Sequence, residues 1–79
     1  MDVVAYKEFE IKASPHQMAE SGEWSLNIYI THHKGGETLE KNFSAVNTFK
    51  TREEAISHCH NFGRQVIDGQ IPSCTVADL

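Results

Sequence analysis

The hydrophobic positions between residues 51 and 69 repeat with the period of an α-helix. At about 100° per residue, they form one apolar stripe made of Ala55, Ile56, Cys59, Phe62, Val66 and Ile67, with Gly63 inside it. Thr51 followed by Glu54 is a capping-box pattern, and Gly69 is typical of the position just after a helix. The pattern predicts a helix over about residues 52–68 that packs its stripe against a sheet.

Gly63 is the unusual member of this stripe, because glycine in a helix interior costs about 1 kcal/mol relative to alanine. We interpret it as a packing requirement. On the buried side, a missing side chain lets a bulky partner or a backbone segment approach closely.

Two segments before the helix alternate between apolar and polar residues, as strands with one buried face do. The first covers about residues 4–13 and ends at Ser14-Pro15, since proline cannot donate to a sheet ladder. The second covers about residues 23–32. Its buried face is predicted to carry Trp24, Leu26, Ile28 and Ile30.

A hairpin is predicted to join the second strand to a third. Gly35-Gly36 lies between the two segments, and tight hairpin turns need positive φ angles. The third strand is predicted over about residues 38–45, with Leu39 and Phe43 on its buried face. Lys41 falls on the same side, which is tolerated near a sheet edge because its stem can lie on apolar surface.

The element order predicts an α+β fold. We expect a three-stranded antiparallel meander with one C-terminal helix packed on one face, a βββα two-layer sandwich. The 79 residues are predicted to form a single small domain, 1–79, with an extended apolar tail over 70–79. The sheet face away from the helix is predicted to carry Glu10, Lys12, Asn27, Tyr29, Thr31, Asn42 and Ser44.

Charge and hydropathy narrow the function classes. The chain has 7 basic and 11 acidic residues, a net charge of −4, which argues against nucleic acid as a partner because phosphate binding rests on Lys and Arg. There is no secretory signal pattern and no run of about 20 apolar residues that would span a membrane. The sequence therefore predicts a cytoplasmic protein with no membrane partner.

The histidines are the first candidates for metal ligands. His58 and His60 are two residues apart on the predicted helix, so they point to opposite sides, whereas helical ligand pairs lie three or four apart. His32 and His33 are neighbours on a strand and point to opposite faces. A site would need further ligands such as His16, and we predict no metal and no cofactor.

The cysteines do not form a disulfide framework. Cys59 lies in the apolar stripe, where we expect it to be buried as a small hydrophobe and unavailable as a nucleophile beside His58. Cys74 in the tail is the more accessible thiol. Gly35-Gly36 joins two strands and does not open a helix, so it lacks anion-binding geometry. We predict that the protein is not an enzyme, with no catalytic and no cofactor-binding residues.

A Tyr-led first strand, a Trp-bearing second strand and a helix that opens T-x-E-E-A and closes I-D-G occur together here. The matching residues are Tyr6, Phe9, Ile11, Trp24, Phe49, Thr51, Glu53, Glu54, Ala55, Ile67, Asp68 and Gly69. In these the chain resembles a family of small uncharacterised bacterial proteins. The strand–strand–strand–helix order is also similar to the latter part of double-stranded-RNA-binding domains. However, the first helix and the Lys run of those domains are missing, so this similarity implies fold and not RNA binding.

These observations predict a non-enzymatic domain that acts through protein–protein contacts with an unidentified partner. One alternative is a nucleic-acid-binding or transcription-regulatory module of double-stranded-RNA-binding-like shape. Another is a histidine-based metal-binding protein. Self-association stays open: the strand edges or the tail form a homodimer, or the tail folds back beside the helix of a monomer.

Overall fold

The computed structural model describes residues 2–76 and residue 79. In this part of the chain it contains a four-stranded antiparallel sheet followed by a helix. The elements are β1 (Val3–Tyr6), β2 (Phe9–Ala13), β3 (Trp24–Lys34), β4 (Glu37–Phe49) and α1 (Arg52–Ile67). The strands are adjacent in chain order, and α1 lies across one face, mainly over β2 and β3. The predicted α+β class with an antiparallel sheet and a C-terminal helix is confirmed.

The prediction of three strands is wrong, because residues 4–13 form a hairpin and not one strand. The chain reverses at Lys7-Glu8, so that Tyr6 pairs with Phe9. Lys7 takes a φ of 55°, the left-handed conformation that tight hairpin turns use. The apolar positions change here from even numbers (Val4, Tyr6) to odd numbers (Phe9 onwards). A single regular strand cannot accommodate that change, because its successive side chains point to opposite faces.

The core lies between the sheet and α1. Ile11, Ile28 and Ile30 are fully buried at its centre. The register places Ile11 opposite Ile30, and Ile28 opposite Phe43, so these side chains form a continuous apolar layer under the helix. The buried residues that α1 contributes are Ala55, Cys59, Gly63 and Val66.

Both ends of α1 are capped. At its start, the Thr51 hydroxyl accepts a hydrogen bond from the backbone N–H of Glu54 at 3.1 Å. At its end, the Asp68 N–H donates to the carbonyl of Arg64 and Gly69 takes a φ of 75°. The N-cap at Thr51 and the glycine just after the helix, both expected from the sequence, are confirmed. No helix in the described part of the chain is long and apolar enough to cross a membrane.

Gly63 brings α1 into direct contact with β2. A Cβ atom placed on Gly63 would lie 2.5 Å from Cγ2 of Ile11 and 2.9 Å from its Cδ1. Both distances are shorter than real carbon–carbon contacts. The packing interpretation of this glycine is therefore confirmed, and the bulky partner is Ile11.

β4 is longer than the predicted 38–45, because it continues through a bulge. Its register with β3 shifts after Ala45, leaving Val46 and Asn47 as extra residues before Thr48. The side chain of Val46 points into solvent, with the residue 98% exposed. The two extra residues of the bulge break the alternation of inward and outward side chains, so the sequence pattern predicted an end at Ala45. The strand itself ends at Phe49.

The tail after α1 folds back along the helical side of the sheet. The Lys41 ammonium donates to the carbonyl oxygen of Thr75 at 3.3 Å, which places the tail over β4. Its apolar residues, each partly buried against the core, are Ile71, Cys74, Val76 and Leu79. The tail therefore covers part of the sheet that α1 leaves open.

Candidate functional site

The two helical histidines lie at opposite edges of the sheet. His58 stacks on the ring of Phe49 at the end of β4, with ring centroids 4.4 Å apart. His60 donates from Nε2 to the carbonyl oxygen of Asp2 at 3.0 Å, beside β1. Residues two positions apart on a helix point to opposite sides of it, which explains this separation. The two imidazoles therefore do not share a site.

The two sheet histidines are separated by the sheet itself. His32 lies on the helical side, its ring 4.8 Å from that of Phe9. Its Nδ1 is buried without a hydrogen-bond partner among the described residues. His33 lies on the outer face between the carboxylate of Glu10 at 2.9 Å and the hydroxyl of Thr38 at 3.2 Å. Within residues 2–76 and 79, no three His, Cys, Asp or Glu side chains are grouped as a metal site would require.

The two cysteines differ in accessibility as predicted. Cys59 is 0% exposed, and its Sγ lies 3.5 Å from the carbonyl oxygen of Asn27. Burial raises the pKa of the Cys59 thiol, which keeps it protonated and makes it a poor nucleophile. Cys74 in the tail is half-buried.

A cluster of three polar side chains joins the first hairpin to the end of α1. The Tyr6 hydroxyl donates to Oδ2 of Asp68 at 2.8 Å, and the Lys7 ammonium donates to Oδ1 of the same carboxylate. The hydrogen bond from Lys7, followed by that from Tyr6, lowers the pKa of Asp68. The same hydrogen bonds raise the pKa of Tyr6 and of Lys7.

This cluster was missed at the sequence level, where Asp68 was interpreted only as a helix end. One signal was available. A carboxylate at a helix C-terminus meets the negative end of the helix dipole, so it needs a nearby cation. Lys7 supplies that charge from a residue 61 positions away. The cluster fastens the hairpin to the helix, and we assign it a structural role.

The lowered pKa of Asp68 makes a testable prediction. A carboxyl whose folded pKa is depressed contributes stability above its ordinary pKa of about 3.9. That stability is lost as the pH falls through the folded value. We expect Lys7→Met to raise the pKa of Asp68 towards the ordinary range, and Tyr6→Phe to raise it by less, because the bond from Lys7 is the larger cause.

The measurement is an NMR titration of the Asp68 side-chain carboxyl carbon. Lys12→Met and Tyr29→Phe are matched controls, since both residues lie on the outer face. We expect both controls to leave the pKa of Asp68 unchanged. Equal values in Lys7→Met and Lys12→Met would contradict the assignment.

A shallow groove of about 450 Å³ lies between the end of β4 and α1. Its apolar floor includes Leu26 and Phe62. The polar residues that line it are Asn47, His58, Asn61 and Gln65. This lining offers neutral hydrogen-bonding groups around the Phe49 ring, and among the described lining residues it offers no carboxylate or thiol for catalysis.

The outer face of the sheet is polar and hydrogen-bonded within itself. Asn42 Nδ2 donates to Oδ1 of Asn27 at 2.9 Å and to the carbonyl oxygen of Ile28 at 2.8 Å. Thr31 donates to the Glu40 carboxylate at 3.4 Å. The cross-strand register places the predicted outer-face residues together on this side.

One long sheet edge, that of β4, has no strand paired with it among the described residues. β4 is joined to β3 by the two-residue turn Gly35-Gly36, whose flanking residues Lys34 and Glu37 face each other. The two residues that flank a two-residue turn form a hydrogen-bonded pair. From there along the two strands, hydrogen-bonded pairs alternate with pairs that are not hydrogen-bonded to each other. Odd-numbered residues of β4 up to Ala45 therefore bond to β3. The residues that point their N–H and C=O groups away from the sheet, which we call the β4 edge, are Thr38, Glu40, Asn42 and Ser44.

Comparisons of the chain with protein-family models, with curated proteins and with solved structures find no match. The family resemblance and the similarity to double-stranded-RNA-binding domains therefore stay predictions.

The structure places the chemically capable side chains far apart. The imidazoles and thiols are dispersed between two edges, two faces and the core. The β4 edge, by contrast, is a continuous row of backbone donors and acceptors on one strand.

Proposed function

We propose that this protein is a non-enzymatic binding module that acts through protein–protein contacts, with the β4 edge as its contact surface. The observation that carries the proposal is the length of β4, which has 13 residues and lies at the edge of the sheet. An edge of this length is a template for an added strand from another chain.

The opposite edge of the sheet, formed by β1, offers fewer outward-pointing backbone groups to a partner. β1 has four residues. Tyr6 and Phe9 flank the turn and form a hydrogen-bonded pair, and the pairs alternate from there along β1. Only Val3 and Ala5 therefore point their backbone N–H and C=O groups away from the sheet. β4 directs four residues outward before its bulge. A partner strand would gain about twice as many backbone hydrogen bonds there.

Charge also favours a protein partner over a nucleic acid. Lys7 and Arg52 each pair with a carboxylate, Asp68 and Asp2 respectively, so their positive charge is already compensated. Glu53 and Glu54 occupy the first turn of α1. That placement repels phosphate groups from the helix end that would otherwise attract them.

The experiment compares capture by three forms of the tagged protein: the wild type, Ser44→Pro and Ala5→Pro. Proline at Ser44 removes an outward N–H from the β4 edge without breaking a bond to β3, and proline is tolerated at such edge positions. Ala5→Pro makes the same change on β1 and is the matched control. Circular dichroism establishes that each form is folded.

We expect wild type and Ala5→Pro to retain the same protein partner, counting an untagged copy of the chain as a partner, and Ser44→Pro to lose it. Capture that is identical in all three forms would contradict the β4 edge as the contact surface. Tight, salt-sensitive binding to RNA or DNA in an electrophoretic shift, unchanged by Ser44→Pro, would contradict the proposed function.

A further inference from the structure

The β4 edge is self-complementary in one antiparallel register. We propose that its partner is a second copy of this chain, paired strand to strand about a two-fold axis that passes beside Asn42. The inference rests on the proposed function of this edge and adds the identity and register of the partner. In this register Asn42 faces the same residue of the second copy, and Glu40 faces Ser44.

The alternation of the ladder restricts the registers that are available. Outward-pointing residues must pair with outward-pointing residues, because only these carry free N–H and C=O groups. The two-fold axis therefore passes beside one residue of β4, and the neighbouring registers move it along the strand by one residue at a time. Regular pairing ends at Ala45, where the bulge begins.

Charge selects among these registers. An axis beside Lys41 pairs residues 37–45 but places the two Lys41 residues opposite each other. An axis beside Glu40 places the two Glu40 residues opposite each other, and like charges directly opposite are destabilising. An axis beside Asn42 pairs residues 39–45 with no like charges opposite. An axis beside Phe43 pairs only residues 41–45.

The chosen register also gives the charged groups suitable partners. Glu40 meets the hydroxyl of Ser44 of the second copy, which can donate to its carboxylate. Lys41 meets Phe43 of the second copy; within one chain its ammonium already lies 5.5 Å from the centroid of the Phe43 ring. Aromatic faces attract cations, so the same preference operates across the axis.

The tail supports the same two-fold arrangement. The contact between Lys41 and Thr75 places the tail on the helical side of β4, beside the proposed axis. Two copies would therefore bring their tails together, and the remaining exposed surface of Val76 and Leu79 would become buried between them. Strand pairing and apolar burial then occur in one symmetric interface.

The first test is sedimentation velocity over about 1–100 µM protein, a range that covers moderate specific affinities. We expect a concentration-dependent dimer for the wild type and for Ala5→Pro, and at least tenfold weaker dimerisation for Ser44→Pro. A wild type that stays monomeric over the whole range would overturn the inference. The proposed function would still stand if another protein were captured through the β4 edge. Full dimerisation of folded Ser44→Pro would also overturn the inference.

The second test determines the register of the strand pairing between the two copies, and none of its variants introduces a proline. Asn42→Cys, Glu40→Cys and Ser44→Cys are each made with Cys74→Ser, which leaves only the buried Cys59 as a native thiol. Residues on the axis have Cα atoms about 5.5 Å apart, whereas the other two positions lie about 13 Å from their own copies, at 3.3 Å per residue. We expect a short thiol cross-linker to join Asn42→Cys into covalent dimers and to leave the other two variants monomeric. Preferential cross-linking of Glu40→Cys or of Ser44→Cys would overturn the register.

Discussion

Replacing Cys59 by Asp is expected to leave the protein unfolded at room temperature. Cys59 is completely buried, and its Sγ faces the carbonyl oxygen of Asn27. A carboxylate in this position would meet that hydrogen-bond acceptor, and the charged group that acts on this site among the described residues is the acidic Asp2. An uncompensated buried charge costs about 4 kcal/mol or more. Small domains lie near the lower end of the usual stability range of about 5–15 kcal/mol.

Two variants isolate the effect of the buried charge. Cys59→Ala removes the thiol without adding charge, so we expect a folded protein with a small loss of stability. Ser57→Asp places the same carboxylate on an exposed position of the same helix, and we expect little change. Urea unfolding followed by circular dichroism measures all three variants. Rapid thiol labelling of Cys59 in the native Cys74→Ser protein would show that solvent reaches this side chain, and it would contradict the prediction.

Gly63→Ala is expected to destabilise the protein by up to about 2 kcal/mol, although alanine is the better helix former. The gain in helix propensity is about 1 kcal/mol, whereas overpacking a core typically costs about 1–3 kcal/mol. The new methyl carbon would lie 2.5 Å from Ile11 Cγ2. Ile11 is fully buried in a close-packed core and cannot move aside without displacing its neighbours, so we expect the overpacking cost to exceed the propensity gain.

The sign of the Gly63→Ala effect should reverse when Ile11 is truncated. Ile11→Ala alone should cost about 2–5 kcal/mol through the cavity that it leaves. In that background the alanine at position 63 has space and retains its helix propensity, so Gly63→Ala should stabilise by up to about 1 kcal/mol. A double-mutant cycle of unfolding free energies measures this coupling. If Gly63→Ala stabilised the protein with Ile11 intact, the proposed clash would be wrong.

The elements with strong local signals were predictable from the sequence. α1 has a cap at each end and one continuous apolar stripe, and its observed bounds lie within one residue of those expected. β3 alternates without interruption from Trp24 to Ile30. In both cases local propensity, pattern and packing agree, which is the condition under which sequence reasoning succeeds.

The first hairpin was missed because its turn lacks the usual residues. Lys7-Glu8 contains no Gly, Asn or Pro, yet Lys7 adopts a positive φ, which is uncommon for such a residue. Only the change from even to odd apolar positions marks the reversal. Similarly, the bulge at Val46 and Asn47 breaks the alternation of β4 without ending the strand.

The proposed contact surface was predictable only in outline. Unpaired strand edges were expected from any short meander, and the polar outer face followed from alternation. The contact between Tyr6 and Asp68 joins residues 62 positions apart. Such contacts depend on how the helix lies over the sheet, and residue spacing along the chain does not encode that orientation.

The attachment of α1 to the first strand has a consequence for the order of folding. Arg52 reaches back to Asp2 across 50 positions, and Asp68 reaches back to Tyr6 across 62. These long loops must close before the contacts contribute any stability, and contacts of high sequence separation slow folding. During synthesis the sheet emerges first, with Ile28 and Ile30 uncovered until the helix arrives. At about 5–20 residues per second, that interval lasts seconds, during which the nascent sheet is most exposed to misassembly.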